Sequence, residues 1–507
     1  MFKKNLALTS LLVSLLTLVL YYYPFFKYSL TQIDLSSFSG TLLLVNVVIL
    51  LVVMNALATY VVLFLLKKAG RYLIALSFLI NSVALYFINT YNILVDKNMI
   101  GNVLNTNFEE AGSFFSLPFI LYVVLLGVLP GILIVKLEPI KETLKQFLIK
   151  ISVTLVVMGM FAYFNSTSWL WVDKNVPTLG SLAMPWCYVV NVFRYTSAQH
   201  KQDKEAILLP DLKIKDQKKS VVVLVIGEST RQKNMSLYGY EKETNPLLSK
   251  IPQLHVYDAE SADTYTIAGV KAILDHKKTG DFYEPLPSYL HRNGVNVIWR
   301  TTNSGEPKLE VSKRLESKQL KELAAADSLS TSHDEMLLAG LKEEIEGSES
   351  PKIFITLHTS TSHGPTYFKK YPEHFSKFEP VCTGVELAEY SQEELMNAYD
   401  NTIVYTDYIL ATLIGKLDKI DQYRSTVLFV SDHGESLGEK GFYMHGIPKN
   451  MAPDEQFEIP FLVWSNDTTL HFKDKDKVTQ YHVFHTITDA LGLETPVYNA
   501  EKSLISR

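Results

Sequence analysis

The chain has 507 residues, 47% hydrophobic and 20% charged, with a formal net charge of -5. That length leaves room for more than one domain, and the near-balanced charge carries no electrostatic footprint for nucleic acid, so no nucleic-acid partner is expected. Two cysteines, Cys187 and Cys382, are too few for a disulfide framework, although a single bridge between them stays open.

The first third is strongly apolar. Five segments are long enough to span a bilayer: residues 6–25, 40–66, 73–89, 117–135 and 147–164. The third is interrupted by Asn81 and Ser82. The start, with Lys3-Lys4 before an apolar stretch, also has the look of a signal peptide. No small-residue cleavage site follows, and Tyr21-Tyr22-Tyr23-Pro24 suits an interfacial aromatic belt, so a retained helix is expected. Basic residues set the orientation: Lys3 and Lys4, then Lys67, Lys68 and Arg71, then Lys136, Lys141, Lys145 and Lys150 belong on the cytoplasmic side. With an odd number of spans, everything after about Asn165 lies outside the cytoplasm. In a bacterium that is the periplasmic face of the inner membrane.

The expected domains are a five-helix transmembrane domain over residues 1–165, a connector over 166–215 and a soluble domain over 216–507. The connector holds Trp169, Trp171, Trp186 and Tyr188. It reads equally as interfacial helices or as a linker with one or two short packing helices. The charged run from Asp203 to Lys219 marks its end. From Ser220 onward apolar strands alternate with helical patterns. Residues 221–226, 296–300, 353–358, 426–430 and 459–464 read as strands, and 392–419 as a long helix. Shorter helices are expected around 266–275 and 334–344. The order predicts a mostly parallel sheet covered on both faces. All 13 histidines lie at position 200 or later, so the chemistry belongs to this domain.

Two strands end in ligand-type residues. The run 221–226 leads into Gly227-Glu228-Ser229-Thr230-Arg231. The run 426–430 leads into Ser431-Asp432-His433-Gly434-Glu435-Ser436-Leu437-Gly438. Open α/β sheets bind ligands at their carboxyl edge, and carboxylate oxygen and imidazole nitrogen are both zinc ligands. Glu228 alone reads as a helix-capping carboxylate. With Asp432 and His433 on an equivalent strand, one metal site assembled across the sheet is the stronger reading. Thr264, in Asp263-Thr264-Tyr265-Thr266, precedes a helical pattern. There a hydroxyl sits beside free backbone N–H groups that stabilise a phosphoryl anion, and a bound metal would make it a nucleophile. An ordinary N-cap is the alternative, and Thr266 is a competing candidate. His363 and His445 suit phosphate binding, proton donation or a second metal; His358 is undecided. Asn102, Thr106 and Glu110 would share one face if helical. A carboxylate there could pair with an ammonium headgroup, and a solvated loop helix is nearly as good a reading.

Several motifs together resemble the lipopolysaccharide phosphoethanolamine transferases. They are Gly227–Arg231; Met235-Ser236-Leu237-Tyr238-Gly239-Tyr240 with Thr244-Asn245-Pro246; Ser362-His363-Gly364-Pro365 with Tyr371-Pro372; Asn397-Ala398-Tyr399-Asp400-Asn401-Thr402; and Ser431–Gly438. Their order and spacing match along nearly the whole chain. The resemblance implies an α-helical transmembrane domain plus an α/β soluble domain of the alkaline-phosphatase or sulfatase type, and a monomer. It implies Zn2+ on Glu228, Thr264, Asp432 and His433. The threonine would attack phosphatidylethanolamine, diacylglycerol would leave, and the phosphoethanolamine would pass to lipopolysaccharide, on a lipid A phosphate or a core sugar. His363, His445, Asn102, Thr106, Glu110, Ser304 and Lys308 would bind substrate. The added ammonium would weaken binding of cationic peptides such as polymyxin.

Three features depart from the lipid A members of that family and bear on the acceptor more than on the chemistry. Only Cys382 stands where they have several disulfides. Ala262-Asp263-Thr264 replaces a Cys-Gly-Thr segment. Lys308 in Asn303-Ser304-Gly305-Glu306-Pro307-Lys308 falls one position late. A phosphoglycerol transferase of the lipoteichoic-acid-synthase type is the alternative. The Gly-Glu-Ser-Thr-Arg and Ser-His-Gly-Pro wording argues against it, and no sulfatase nucleophile motif is present.

Overall fold

The computed structural model describes residues 5–106, 108–137, 142–202 and 206–506. Lys3, Lys4, Lys141, Asp203 and the side chain of Glu110 lie outside them. The chain forms two compact units, residues 1–100 with 114–197 and residues 101–113 with 198–507. Residues 166–197, expected in a connector, thus belong to the helical unit, and residues 101–113 to the other.

Among the described residues of the helical unit, four helices are long and apolar enough to cross a bilayer: Phe38–Leu66, Lys68–Tyr91, Leu117–Val135 and Leu144–Phe164. The first expected span is not one straight helix. Leu6–Tyr21 and Tyr23–Gln32 meet at 71°. Pro24 opens the second of them, and a proline tolerates only the first turn of a helix. The Tyr22 hydroxyl at the bend donates to the Met184 carbonyl (2.7 Å) and accepts from Asn55 (3.1 Å), whose amide oxygen takes the Trp186 indole N–H (2.8 Å). The tryptophan-rich segment is a second bent pair, Trp169–Leu182 and Trp186–Ser197, meeting at 94°. Asn81 and Ser82 do not interrupt their helix. They face inward, and a Cβ on Gly127 would meet the Ser82 Oγ at 2.5 Å, so a small residue permits the helices to touch there. Apolar side chains such as Leu125 and Val156 remain 55% and 60% exposed, which suits lipid rather than water.

The second unit is built on an eight-stranded sheet. Its strands are β1 (Ser220–Gly227), β2 (Leu254–Glu260), β3 (Asn296–Thr301), β4 (Lys313–Leu315), β5 (Lys352–His358), β6 (Arg424–Ser431), β7 (Glu458–Ser465) and β8 (Val478–Thr479). The spatial order is β8-β2-β7-β6-β1-β5-β3-β4, and only β7 runs against the rest. The five strands expected from apolar runs are β1, β3, β5, β6 and β7. The strand β2 escapes that test because Asp258 and Glu260 on its exposed face, and His255 on the other, break up its apolar residues. The central β1 is buried throughout, as a parallel strand covered on both faces must be. Val222, Leu224, Phe354, Leu428 and Phe461 meet in the core, each worth about 1.5–3 kcal/mol on full burial.

Two helices frame the carboxyl edge. Helix α1 is Thr266–Leu274, and helix α2 is Gln392–Leu417, opened by a capping box between Ser391 and Glu394. The helix expected over 334–344 divides into a 3-10 turn, Asp334–Leu338, and a short helix, Leu341–Glu346. Gly340 between them is left-handed, with φ 60°. The register levels the strand ends: Gly227 pairs with Ser431, and Ile226 with His358. Helix α1 abuts that edge so closely that a Cβ on Gly269 would lie 2.1 Å from the Asp432 carbonyl oxygen.

Gly269→Ala must therefore displace the helix, at a cost of about 1–3 kcal/mol. The exposed Gly415 in α2 has open space around it, and Gly415→Ala is expected to stabilise by about 0.5–1 kcal/mol. Calorimetric melting of the purified chain should show Tm shifts of opposite sign for the two variants.

Candidate metal centre and nucleophile

Because β1 and β6 end level, Glu228 and Asp432 leave the sheet side by side, with His433 beside Asp432. All three are buried, at 1%, 0% and 0% exposed. One ligand atom each from Glu228, His433 and His445 lies within 4.8 Å of the others. The His433 Nε2 is 3.5 Å from the Glu228 Oε1 and 3.3 Å from the Asp432 Oδ2. Its Nδ1 lies 2.8 Å from the Gly434 carbonyl. An Nδ1–H donated there leaves the Nε2 lone pair facing two carboxylates.

The carboxylates are oriented from behind. Asp432 Oδ1 accepts from the Ser229 and His433 backbone N–H groups at 3.0 and 2.8 Å. Its Oδ2 is buried without a hydrogen-bond partner among the described residues. Glu228 Oε1 accepts from the Ser229 hydroxyl (2.7 Å), and its Oε2 from the Asn303 amide (2.6 Å). Ser229 reaches this position through a left-handed backbone, φ 52°, a strained conformation of the kind that collects at functional sites. Burial, and then the neighbouring Glu228 charge, push the Asp432 carboxyl well above its usual range. Burial acts on Glu228 too, but the imidazoles of His363, His433 and His445 outweigh it and hold that carboxyl low. An orphaned carboxylate oxygen, a second carboxylate and an outward imidazole lone pair around one point fit a divalent cation of the zinc type.

The two threonines separate clearly. The Thr264 hydroxyl donates to the Ile447 carbonyl at 2.8 Å, away from the carboxylates. The Thr266 hydroxyl, at the first turn of α1, lies 3.3 Å from the Glu228 Oε2 and 3.2 Å from the His433 Nε2. Thr266 is thus the hydroxyl that the fold brings to the candidate ligands.

The residues expected to hold substrate divide likewise. Asn102, Thr106, Thr266, Ser304, His363 and His445 line one small cavity of about 40 Å³. The His363 and His445 rings are 5.3 Å apart, and the Ser304 hydroxyl donates to the Asn105 carbonyl at 3.3 Å. The segment carrying Asn102 and Thr106 is not one helix. Lys97–Asn105 ends and Phe108–Ser113 begins anew, so the common helical face stops before Glu110. Lys308 is exposed and lines neither this cavity nor the larger one beside it. His358 is buried at the end of β5, 3.6 Å from Glu306, outside both cavities. Cys187 and Cys382 are separate buried thiols. Sequence reasoning did not single out Asn303 or Ser229, although both sit inside quoted motifs. Their roles depend on contacts with residues 75 and 203 positions away.

Comparison with known proteins places these features. Residues 220–493 match the sulfatase family model, and residues 52–200 match the model of phosphoethanolamine transferase EptA/EptB. The chain is 38% identical to phosphoethanolamine transferase EptA of Helicobacter pylori, over 94% of this chain and 91% of that one. It is 32% identical to phosphatidylethanolamine transferase Mcr-1 of Escherichia coli, over 77% of each. The full-length fold superposes on the integral membrane protein lipooligosaccharide phosphoethanolamine transferase A of Neisseria meningitidis with a TM-score of 0.85. That match has 23% identity and covers 98% of this chain and 97% of that one. The periplasmic domain of phosphoethanolamine transferase EptC from Campylobacter jejuni matches at 33% identity and TM-score 0.51, over 59% of this chain and 97% of that one. With its apolar helices, the chain is a multi-pass membrane protein. It belongs to the phosphoethanolamine transferase EptA/EptB family, enzymes that carry a sulfatase-like catalytic domain.

Proposed function

We propose that the chain transfers phosphoethanolamine from phosphatidylethanolamine to lipopolysaccharide through a phosphothreonine at Thr266. It would do so at the periplasmic face of the inner membrane. The observation that carries this reading is the Thr266 hydroxyl, within 3.3 Å of both Glu228 and His433 at the head of a helix. The relatives' names supply the donor and the group transferred. Glu228, Asp432 and His433 are the residues that would hold zinc. Bound there, the ion would lower the pKa of the neighbouring hydroxyl and offset charge on the phosphoryl oxygens.

The rest is work for the chain's own groups. In the first displacement Thr266 Oγ forms the new P–O bond and loses its proton, and the bond to the glycerol oxygen breaks. His363 and His445 are the candidates for protonating that oxygen as diacylglycerol departs. The N-terminal amides of α1 face the anionic phosphoryl group. In the second displacement an acceptor oxygen attacks phosphorus, the P–Oγ bond breaks, and Thr266 regains a proton. Dividing the transfer into two displacements gives ping-pong kinetics. The product carries an added ammonium, so cationic peptides should bind the modified envelope less well. An envelope carrying the product with unchanged peptide binding would count against that last step.

The test uses full-length protein in detergent with zinc and fluorescent-acyl phosphatidylethanolamine. Thr266→Ala should reduce diacylglycerol release more than about a thousandfold, whereas Thr264→Ala should retain most of it. The reverse ranking would return the nucleophile to Thr264, and turnover of phosphatidylglycerol alone would indicate a phosphoglycerol transferase. A separate measurement concerns the metal. Asn303→Ala removes the amide that orients Glu228 and should weaken zinc retention about 10- to 100-fold in competition with a chromophoric chelator. Unchanged retention would remove Asn303 from that role.

A further inference from the structure

Beside the small cavity at Thr266 lies a larger one of about 370 Å³, within the range of about 300–1,000 Å³ typical of small-ligand sites. The two share a wall, since Asn303 and His363 line both. A group held in the larger cleft is therefore one side chain away from Thr266. The lysines that line it, Lys321, Lys369 and Lys370, lie outside the motifs that identify the chemistry.

Its lining is cationic. Lys321 projects from the helix Ser317–Ala326, and Lys369 and Lys370 come from the turn after Thr366. Among the described residues none of the three is in an ion pair with a carboxylate. Elsewhere in this unit, exposed lysines such as Lys233, Lys313 and Lys449 do find such partners. Among the described residues one carboxylate lines the cleft, Asp334, but it is 3% exposed and already engaged. It accepts from the Thr302 hydroxyl (2.5 Å), the Ser360 N–H (2.6 Å) and the Thr361 hydroxyl (2.6 Å). Asp334 ties the floor together and leaves the three ammonium groups without a counter-ion among the described residues. Like charges gathered around one opening favour an anion in it.

We infer that this cleft is the acceptor subsite. Lys321, Lys369 and Lys370 engage the phosphate of a phosphorylated sugar on the acceptor glycolipid, which approaches Thr266 past His363. The assignment rests on the transferase reading above. It separates the zwitterionic donor from the anionic acceptor, because the donor reacts in the small cavity and the acceptor docks in the large one.

The experiment compares wild type with the triple variant Lys321→Ala/Lys369→Ala/Lys370→Ala, as full-length protein in detergent micelles with zinc. Diacylglycerol release in a single turnover reports the donor step, in which the acceptor takes no part. Steady-state transfer against lipid A concentration reports the acceptor. Half-exposed charge pairs are worth about two- to fivefold each, so the three together should raise KM for lipid A about tenfold to a hundredfold. The donor step should stay within about twofold, and that retained burst shows the variant to be folded. The difference in KM should narrow at high salt. Unchanged KM would overturn the assignment, and so would a donor step that falls in parallel, which would give the cleft to phosphatidylethanolamine. A wild type that releases no diacylglycerol would instead overturn the transferase reading itself.

Discussion

Two carboxylates, Glu228 and Asp432, are buried side by side at the ends of adjacent parallel strands, with one Asp432 oxygen accepting no hydrogen bond among the described residues. Such a pair is costly in a low-dielectric pocket unless a cation lies between the charges or one of them takes a proton. The neighbouring structure reads as a response to that constraint. Ser229 adopts a left-handed backbone to give its N–H to one carboxylate and its hydroxyl to the other. Asn303, from the loop after β3, fixes the remaining Glu228 oxygen. The His433 ring is held through one nitrogen so that the other points inward.

The sheet makes this economical. Strands β1 and β6 pair over eight positions, and no side chain has to reach across a gap to join the site. Helix α1 is brought onto the Asp432 backbone at Gly269, which carries Thr266 to within hydrogen-bond distance of the ligands. A rigid element delivers the reacting hydroxyl, so little conformational entropy remains to be lost in orienting it. The loops after β3 and β5 then open outward as a polar, lysine-bearing cleft, where the chain can recognise something other than the group it reacts with.

The helical unit follows a different rule. Its apolar residues are largely outward, and its polar ones, Asn46, Asn55, Asn81 and Ser82, are inward. In hydrocarbon the buried polar groups draw helices together, and Tyr22, Asn55 and Trp186 form such a joint. The same inward polar residues obscure where spans begin and end in a hydropathy reading. Asn81 and Ser82 look like an interruption in the sequence but are a packing contact.

The amino-acid sequence by itself determined the division into an apolar anchor and an α/β catalytic unit, the five long apolar strands, and the identity of Glu228, Asp432 and His433 as candidate ligands. Those features are local: apolar runs, strand ends and contiguous motifs. Tertiary structure decided the rest. Thr264 and Thr266 are equivalent before a helix, and the choice between them lies with the Ile447 carbonyl on one side and Glu228 and His433 on the other. The strand β2 is hidden by its polar face, and the helix expected to align Asn102 with Glu110 ends at Asn105. Lys308 shares a motif with Ser304, yet only Ser304 lines the cavity. Hydroxyl direction, register and convergence of charge depend on partners scores to hundreds of positions distant, and only the folded chain brings those partners within a few ångströms.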